Sequence, residues 1–418
     1  MSESPTKPRL PPELIDHIID YLHSYQKALS TCSLVCKSWL PTVRYHRFSR
    51  LTLWYRELNQ LLLLIQSSPD IAYFVEELSC RNGYGRYNDS DNFIMSMVLQ
   101  KFPRLDRLYL SHLIAGETEQ LGMLSRPTSA GSRAVKQLHL IRCTFTISAL
   151  SNFLLFFPNL ESLLLYDLKI SLNAPFLGYR APTDYPSIAT KGPVEVPAWS
   201  IDALKSMQVG KLMPEGLTLL CDWITQSKPH FSVHSFHGYV YSDDDALPLC
   251  IFLNRFGDRL GELDLYFDSF SSLPDTFRNA ELNLSHCQNL ERLTLRIHLR
   301  EMFVSTNLSI PFINTLLTQL TFPHLAYLEL EIFHDAMQDV FYGFSECADR
   351  ELRPVTFGDL DILDWRTLEG HCVDGILVEL REVVVKGTGE TKAIEELMRE
   401  KYPRLASVLR WEEVPEEG

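Results

Sequence analysis

Four short stretches carry side chains whose types and spacing could do chemistry. Asp243, Asp244 and Asp245 stand beside Tyr241, a carboxylate run of the kind that can hold a hard cation. His286 next to Cys287, and His371 next to Cys372, offer the parts of a thiol-imidazole pair in which a base activates a sulfur nucleophile. Cys32 and Cys36 fall at i, i+4, where two thiolates on one helix face can begin a metal site. None of these completes its chemistry. The acidic run lacks spaced partners and reads as a solvated loop. Neighbours along a strand point to opposite faces, so the two His-Cys pairs read as chance. Two ligands are too few for zinc, and the apolar surroundings of Cys32 and Cys36 read as buried packing. No G-x-S-x-G, Walker, HExxH or GxGxxG motif occurs. The expectation is a protein that is not an enzyme, with no cofactor and no metal.

Composition narrows the class. The 418 residues exceed a usual domain two- to threefold and carry 45% hydrophobic and 22% charged residues. That is core material for several domains or one long repeating array. No stretch approaches the roughly 18 apolar residues of a membrane span, and the start "MSESPTKPRL" lacks the apolar heart of a secretory signal. A cytoplasmic or nuclear location is expected. The nine cysteines are scattered without a CxxC pair, which suggests reduced thiols. A net charge of -14 repels phosphate backbones and anionic lipid, so neither nucleic acid nor membrane is expected as a partner.

The elements that would position a binding surface begin at the N-terminus. Leu10, Pro11, Pro12 and Glu13 predict a helix start, because proline tolerates the first turn and an acid suits the positive end of the dipole. Leu14, Ile15, Ile18, Ile19 and Leu22 then lie on one face of a 3.6-residue period, with Asp16, His17 and Asp20 on the other. A second helix places Ala28, Leu29, Cys32, Val35, Cys36 and Trp39 on one side, and Pro41 closes it. Two such helices are too small to bury a core alone. They must lean on the rest of the chain or on a partner.

This stretch, residues 9–54, resembles the F-box in its fungal form. The resemblance is carried by Leu10, Pro11, Glu13, Leu14, Ile15, Ile18, Ile19 and Leu22, then by Leu29, Leu34, Val35, Cys36, Lys37 and Trp39, and by the basic-aromatic "RYHRF". It implies binding of a Skp adaptor and, through it, a cullin-RING ubiquitin ligase. The contact would lie on Leu10, Pro11, Pro12, Glu13 and the apolar face of both helices. An amphipathic helix pair with surplus apolar surface is also what helix-in-groove recognition needs. The linker "HSYQ" departs from the family in lacking acidic residues.

From Phe48 onward a short phrase recurs, as in "FPRLDRLYL", "FPNLESLLL", "RLGELDLYF", "NLERLTLRI", "FPHLAYLEL", "ELREVVV" and "YPRLASVL". Each fits an L-x-x-L-x-L frame. Leu51, Leu78, Leu108, Leu138 and Leu163 are spaced about 25 to 30 residues apart. Alternation within the phrase predicts a short strand with one buried face, and helical candidates such as "RELNQLLLLIQ" and "IEELMREKY" lie between phrases. The fold class expected is α/β: an N-terminal helical F-box, then an irregular leucine-rich repeat solenoid over 55–410. Cys143 and Cys287 stand where such repeats place Asn or Cys after the strand, and are expected to bury their thiols in the turn. The proline-rich 171–200 reads as a flexible insertion, and "ECADRELRPVTFGDLDILDW" as the place of one further degenerate repeat.

The residues between the phrase leucines face away from the core. They include Arg107, Tyr109, His139, Leu164, Tyr166, Glu262, Asp264, Tyr266, Arg292, Thr294, Arg296, Tyr327, Glu329 and Glu331. Tyrosines there supply rigid contact area, and the later phrases add carboxylates beside an arginine pair. The expected function is a substrate-recognition subunit of a Skp-cullin-F-box ligase that takes an unknown protein target on this face. The rival expectation is an F-box scaffold without a ligase role.

Overall fold

The computed structural model describes residues 11–81, 99–115, 134–171, 203–212, 214–227, 233–240, 243–267, 284–299, 314, 316–320, 322–334, 363–373, 376–387 and 391–413. Leu10, Tyr241, most of the proline-rich 171–200 and most of the "ECADRELRPVTFGDLDILDW" stretch lie outside them. The chain divides at Leu160/Glu161 into two compact units.

The first unit opens with helices α1 (Pro12–Tyr21) and α2 (Gln26–Val35), a 3-10 turn at Lys37–Trp39, and α3 (Leu40–Phe48). Here the structure corrects the sequence reading. Pro41 does not close the second helix but sits in the first turn of a third, where its missing N–H costs nothing. The stop comes earlier, at Cys36, whose extended backbone (φ -158°, ψ 147°) ends α2 and caps the 3-10 turn. After α3 come β1 (Arg50–Trp54), α4 (Leu58–Ser67), β2 (Glu77–Arg81), β3 (Arg107–Ser111), β4 (Ile114–Ala115), β5 (Gln137–Ile141), β6 (Thr144–Thr146) and α5 (Ile147–Leu154). Strands β1, β2, β3 and β5 form parallel neighbours in chain order, and β4 pairs with β6.

The second unit contains β7 (Ser162–Tyr166), β8 (Lys169–Ser171), β9 (Ser206–Gly210), α6 (Pro214–Ser227), β10 (Ser235–Val240), α7 (Asp243–Phe256), β11 (Glu262–Phe267), β12 (Arg292–Leu299), β13 (Tyr327–His334), α8 (Trp365–Val373), β14 (Glu382–Gly387), α9 (Thr391–Lys401) and β15 (Leu409–Glu413). Its sheet runs β7-β9-β10-β11-β12-β13-β14-β15, parallel between each pair whose register is defined.

The recurring phrase sets the register. In the first unit Leu51, Leu78, Leu108 and Leu138 align across the strands, and Leu53, Cys80, Leu110 and Leu140 form a second row two residues on. In the second unit the first row is Leu163, Met207, Phe236, Leu263, Leu293, Leu328, Val383 and Leu409. A third row lies three residues upstream of the first, with Val75, Leu105, Val135, Leu160, Leu204, Val233, Leu260, Leu290 and Leu325 all buried. Because strand side chains alternate, a one-residue slip would expel both strand rows into water, so burial fixes the register. The entry to each strand repeats as well. The carbonyl of Glu76 accepts from the N–H groups of Asp106 and Arg107, and that of Gly261 from those of Glu291 and Arg292.

The last phrase departs from the frame. Leu405 is buried as the others are, but its carbonyl accepts from the Leu409 N–H four residues on, so the register row falls one position late, on Leu409, and β15 starts only at this last residue of "YPRLASVL". The aromatic before each helix-terminating proline is a shared core contact: Phe102, Phe157, Phe322 and Tyr402 are all buried. Strand exits share a backbone state too. His112, Arg142, Asp167 and Lys211 each directly follow a strand and adopt φ of 58°, 54°, 51° and 50°, a left-handed turn that costs an L-residue roughly 1–2 kcal/mol. Next to Arg142, the Cys143 thiol donates to the carbonyls of Ile141 and Leu110 at 3.4 and 3.5 Å, and burial pushes it up to about 12.

Candidate functional site

The three N-terminal helices build their own small core. Ile19, Leu29 and Val43, one from each helix, are buried together, with Ile15, Leu22, Cys32 and Trp39 packed against them. The polar face of α1 does structural service: the Thr42 hydroxyl donates to Asp16 Oδ1 at 2.5 Å, and His46 Nε2 lies 2.7 Å from Asp20 Oδ1. Both bonds clamp α3 onto α1. The module joins the strands through Ser49, whose carbonyl accepts from the N–H groups of Glu76 and Glu77, and through the Tyr45 hydroxyl, which donates to Glu76 Oε2 at 3.4 Å.

Apolar side chains remain in water on this module. Leu14 is 50% and Ile18 51% exposed, and with Tyr21 they fall at i, i+4 and i+7 on α1. At the end of α2, Leu34 is 86% exposed and Val35 lies open beside it. A stripe of leucine, isoleucine and tyrosine left in water while Ile19 and Leu29 of the same helices are buried is the signature of an interaction surface.

The outward sheet face of the second unit carries a different arrangement. One register row reads Tyr166, Gly210, Tyr239, Tyr266, Arg296, Glu331, Lys386 and Glu412. Its first half is aromatic: the rings of Tyr239 and Tyr266 are 5.5 Å apart and those of Tyr166 and Tyr239 6.4 Å. Its second half is a charge ladder. Arg296 lies 3.0 Å from Asp264 Oδ2 and 3.1 Å from Glu331 Oε2, His237 Nδ1 is 3.0 Å from the same Asp264 oxygen, and Lys386 is 2.7 Å from Glu329 Oε1. Burial raises the Glu331 carboxyl, opposed by Arg296. The Arg292 guanidinium stacks over Tyr327, 4.0 Å from the ring centre, and the Tyr327 hydroxyl donates to Glu329 Oε2 at 2.8 Å.

Residues 8–56 match the F-box-like family model. F-box domains generally bind the Skp adaptor within Skp-cullin-F-box complexes. No curated protein matches the chain.

Within the F-box-like module the structure sorts the residues singled out from the sequence. Leu14, Ile18, Leu34 and Val35 are exposed and available; Ile19 and Leu29 hold the module together; Ile15, Leu22 and Trp39 are half-buried between the two roles. Pro11 is the exposed N-cap and Glu13 lies in the first turn, while Pro12 opens the helix. Cys36 is exposed rather than packed, because the helix ends before it; its thiol accepts from the Ser38 N–H at 3.3 Å, and contacts with Ser38 hold it below the usual thiol range. Tyr21 and Tyr25 were missed, although Tyr21 continues the Leu14 and Ile18 stripe.

On the sheet face, Tyr166, Tyr266, Glu329, Leu164 and Thr294 are buried, whereas Glu262 and Arg292 are exposed. In the first unit, Tyr109 stacks edge-on against His139 with ring centres 4.4 Å apart, and Arg107 pairs with Glu77 at 3.2 Å. The frame that located these residues also locates His237 and Tyr239, in "VHSFHGYV", and Lys386, in "ELREVVVK".

The stretches with apparent chemistry resolve structurally. Asp243, Asp244 and Asp245 form not a loop but the first residues of α7. His286 points into solvent while Cys287 is buried with its thiol raised to about 12. His371 and Cys372 are neighbours on a helix, not a strand, and still diverge by about 100°. Among the described residues no group of three or more His, Cys, Asp or Glu could hold a metal ion, and no helix is long and apolar enough to cross a membrane.

Proposed function

We propose that this chain is the substrate-recognition subunit of a Skp-cullin-F-box ubiquitin ligase. The observation that carries the reading is the exposed stripe of Leu14, Ile18 and Tyr21, with Leu34 and Val35, on a module that matches the F-box-like family. These side chains enter the adaptor, and the cullin follows through it. The remainder of the chain is a degenerate leucine-rich repeat solenoid, supported by the in-register parallel strands and their three buried rows. Its outward face holds a protein target, and proximity to the charged ubiquitin carrier raises the effective concentration for transfer. Catalysis belongs to the partners, in the cytoplasm or nucleus.

The test is reconstitution. The full chain, Skp adaptor, cullin and RING subunit are assembled, and proteins retained from extract are assayed for ubiquitin transfer with and without the chain. A target modified only when the unsubstituted chain is present supports the reading. Assembly without any chain-dependent modification favours a scaffold, and no assembly overturns the adaptor role.

A further inference from the structure

An open groove lies where the helical module meets the turn before β2. Lys37, Leu40 and Arg44 form one wall with Pro41, and Asp70, Tyr73 and Phe74 form the other. Both walls belong to the first unit. We propose that this groove binds a short acidic segment of a partner protein that also carries an aromatic side chain.

The charge pattern carries the argument. Lys37 and Arg44 are exposed, and among the described residues neither takes part in an ion pair. Other exposed cations do have carboxylate partners: Lys205 lies 2.7 Å from Glu161, and Arg255 2.6 Å from Asp222. The segment 36–50 bears Lys37, Arg44, Arg47 and Arg50 with no Asp or Glu, in a chain whose net charge is -14. Two unmatched cations close together on one groove attract carboxylates locally, although the net charge of -14 repels anions at long range, so the groove stands out as a basic island on an acidic chain. Apolar surface lies between and opposite the cations. Tyr73 is 58% exposed, and Leu40 and Phe74 are half-buried, so an inserted aromatic ring gains burial at small cost in side-chain order. Asp70 on the far wall orients the ligand, turning its carboxylates toward Lys37 and Arg44. The groove is separate from the Leu14 and Ile18 stripe, and the proposal stands without the adaptor reading.

The experiment is fluorescence anisotropy on the full chain with the labelled peptide Glu-Asp-Phe-Glu-Asp. Gln-Asn-Phe-Gln-Asn and Glu-Asp-Ser-Glu-Asp serve as comparators. Saturable binding of the first peptide is expected, weaker by at least about tenfold for each comparator and falling with added salt. Lys37→Glu with Arg44→Glu should lose at least about tenfold, and Tyr73→Ala should also weaken binding. Leu14→Ala with Ile18→Ala should bind as the parent does. If the charge-reversed variant has a lowered Tm, Lys37→Gln with Arg44→Gln replaces it under the same criterion. Absence of saturable binding, equal binding of the neutral peptide, undiminished binding by the folded variant, or equal competition by an oligonucleotide would each overturn the proposal.

Discussion

Ile18 and Ile19 are adjacent on α1 and face opposite media: Ile18 is 51% exposed and Ile19 1%. One residue serves the outside and the other the fold. Ile19→Ala should therefore destabilise the module by about 2–5 kcal/mol, the usual cost of truncating a buried aliphatic side chain. Ile18→Ala should change stability by no more than about 0.5 kcal/mol. Denaturant unfolding of the two variants checks this, and equal losses would mean that α1 is oriented differently.

Gly210 occupies the register position between Tyr166 and Tyr239. A Cβ placed there would come within 2.9 Å of Tyr166 Cδ2 and 3.0 Å of Tyr239 Cβ. Gly210→Ala should cost roughly 1–3 kcal/mol through overpacking. Pairing it with Tyr166→Leu should recover part of the loss; a fully additive loss in thermal unfolding would show that the tyrosine is not what crowds the glycine.

Arg296 separates the carboxylates of Asp264 and Glu331, at 3.0 and 3.1 Å. Arg296→Met leaves two partly buried carboxylates on neighbouring rows without their shared cation, and should cost on the order of 1–3 kcal/mol at neutral pH. Glu331 already has a carboxyl raised by burial, so in the folded chain it takes up a proton at a higher pH than in the unfolded chain. Protonation then favours the folded state, and the loss should shrink as pH falls through the folded value of Glu331. A loss that grows on acidification would refute this arrangement.

His139 works in the opposite direction. Burial, with Arg107 nearby, lowers its imidazole to about 4. The unfolded chain binds a proton near the ordinary value of about 6.5, which the folded chain refuses until about pH 4. Stability from this group is complete above about pH 6.5 and falls as pH drops toward 4, by up to roughly 3 kcal/mol. His139→Phe should remove that part of the slope in unfolding curves measured across this range.

The repeating frame was legible because one physical rule, alternate burial along a strand, fixes it at every phrase. Leu108, Leu138, Leu263 and Leu293 fall in the expected row. Where substitution hides the leucine, as at Gly238 in β10, the frame still holds because cross-strand pairing enforces it. Helix ends were less legible. Pro41 can terminate one helix or begin the next, and only the extended backbone at Cys36 decides between them. Ile18 and Ile19 are the same residue type on one hydrophobic arc, and the packing of α2 and α3 against α1 assigns them opposite roles. Tyr166 and Tyr266 lie in the outward row as expected, yet their large rings pack against neighbours and leave the water.

The most direct measurement is the affinity of the full chain for a Skp adaptor by calorimetry, compared with Leu14→Ala/Ile18→Ala and with a Lys205→Ala control on the second unit. Parent and control should bind alike, and the double variant should lose at least about a hundredfold, or on the order of 3 kcal/mol, with its Tm unchanged. An unchanged Kd for the folded double variant would mean that the exposed stripe is not the adaptor surface.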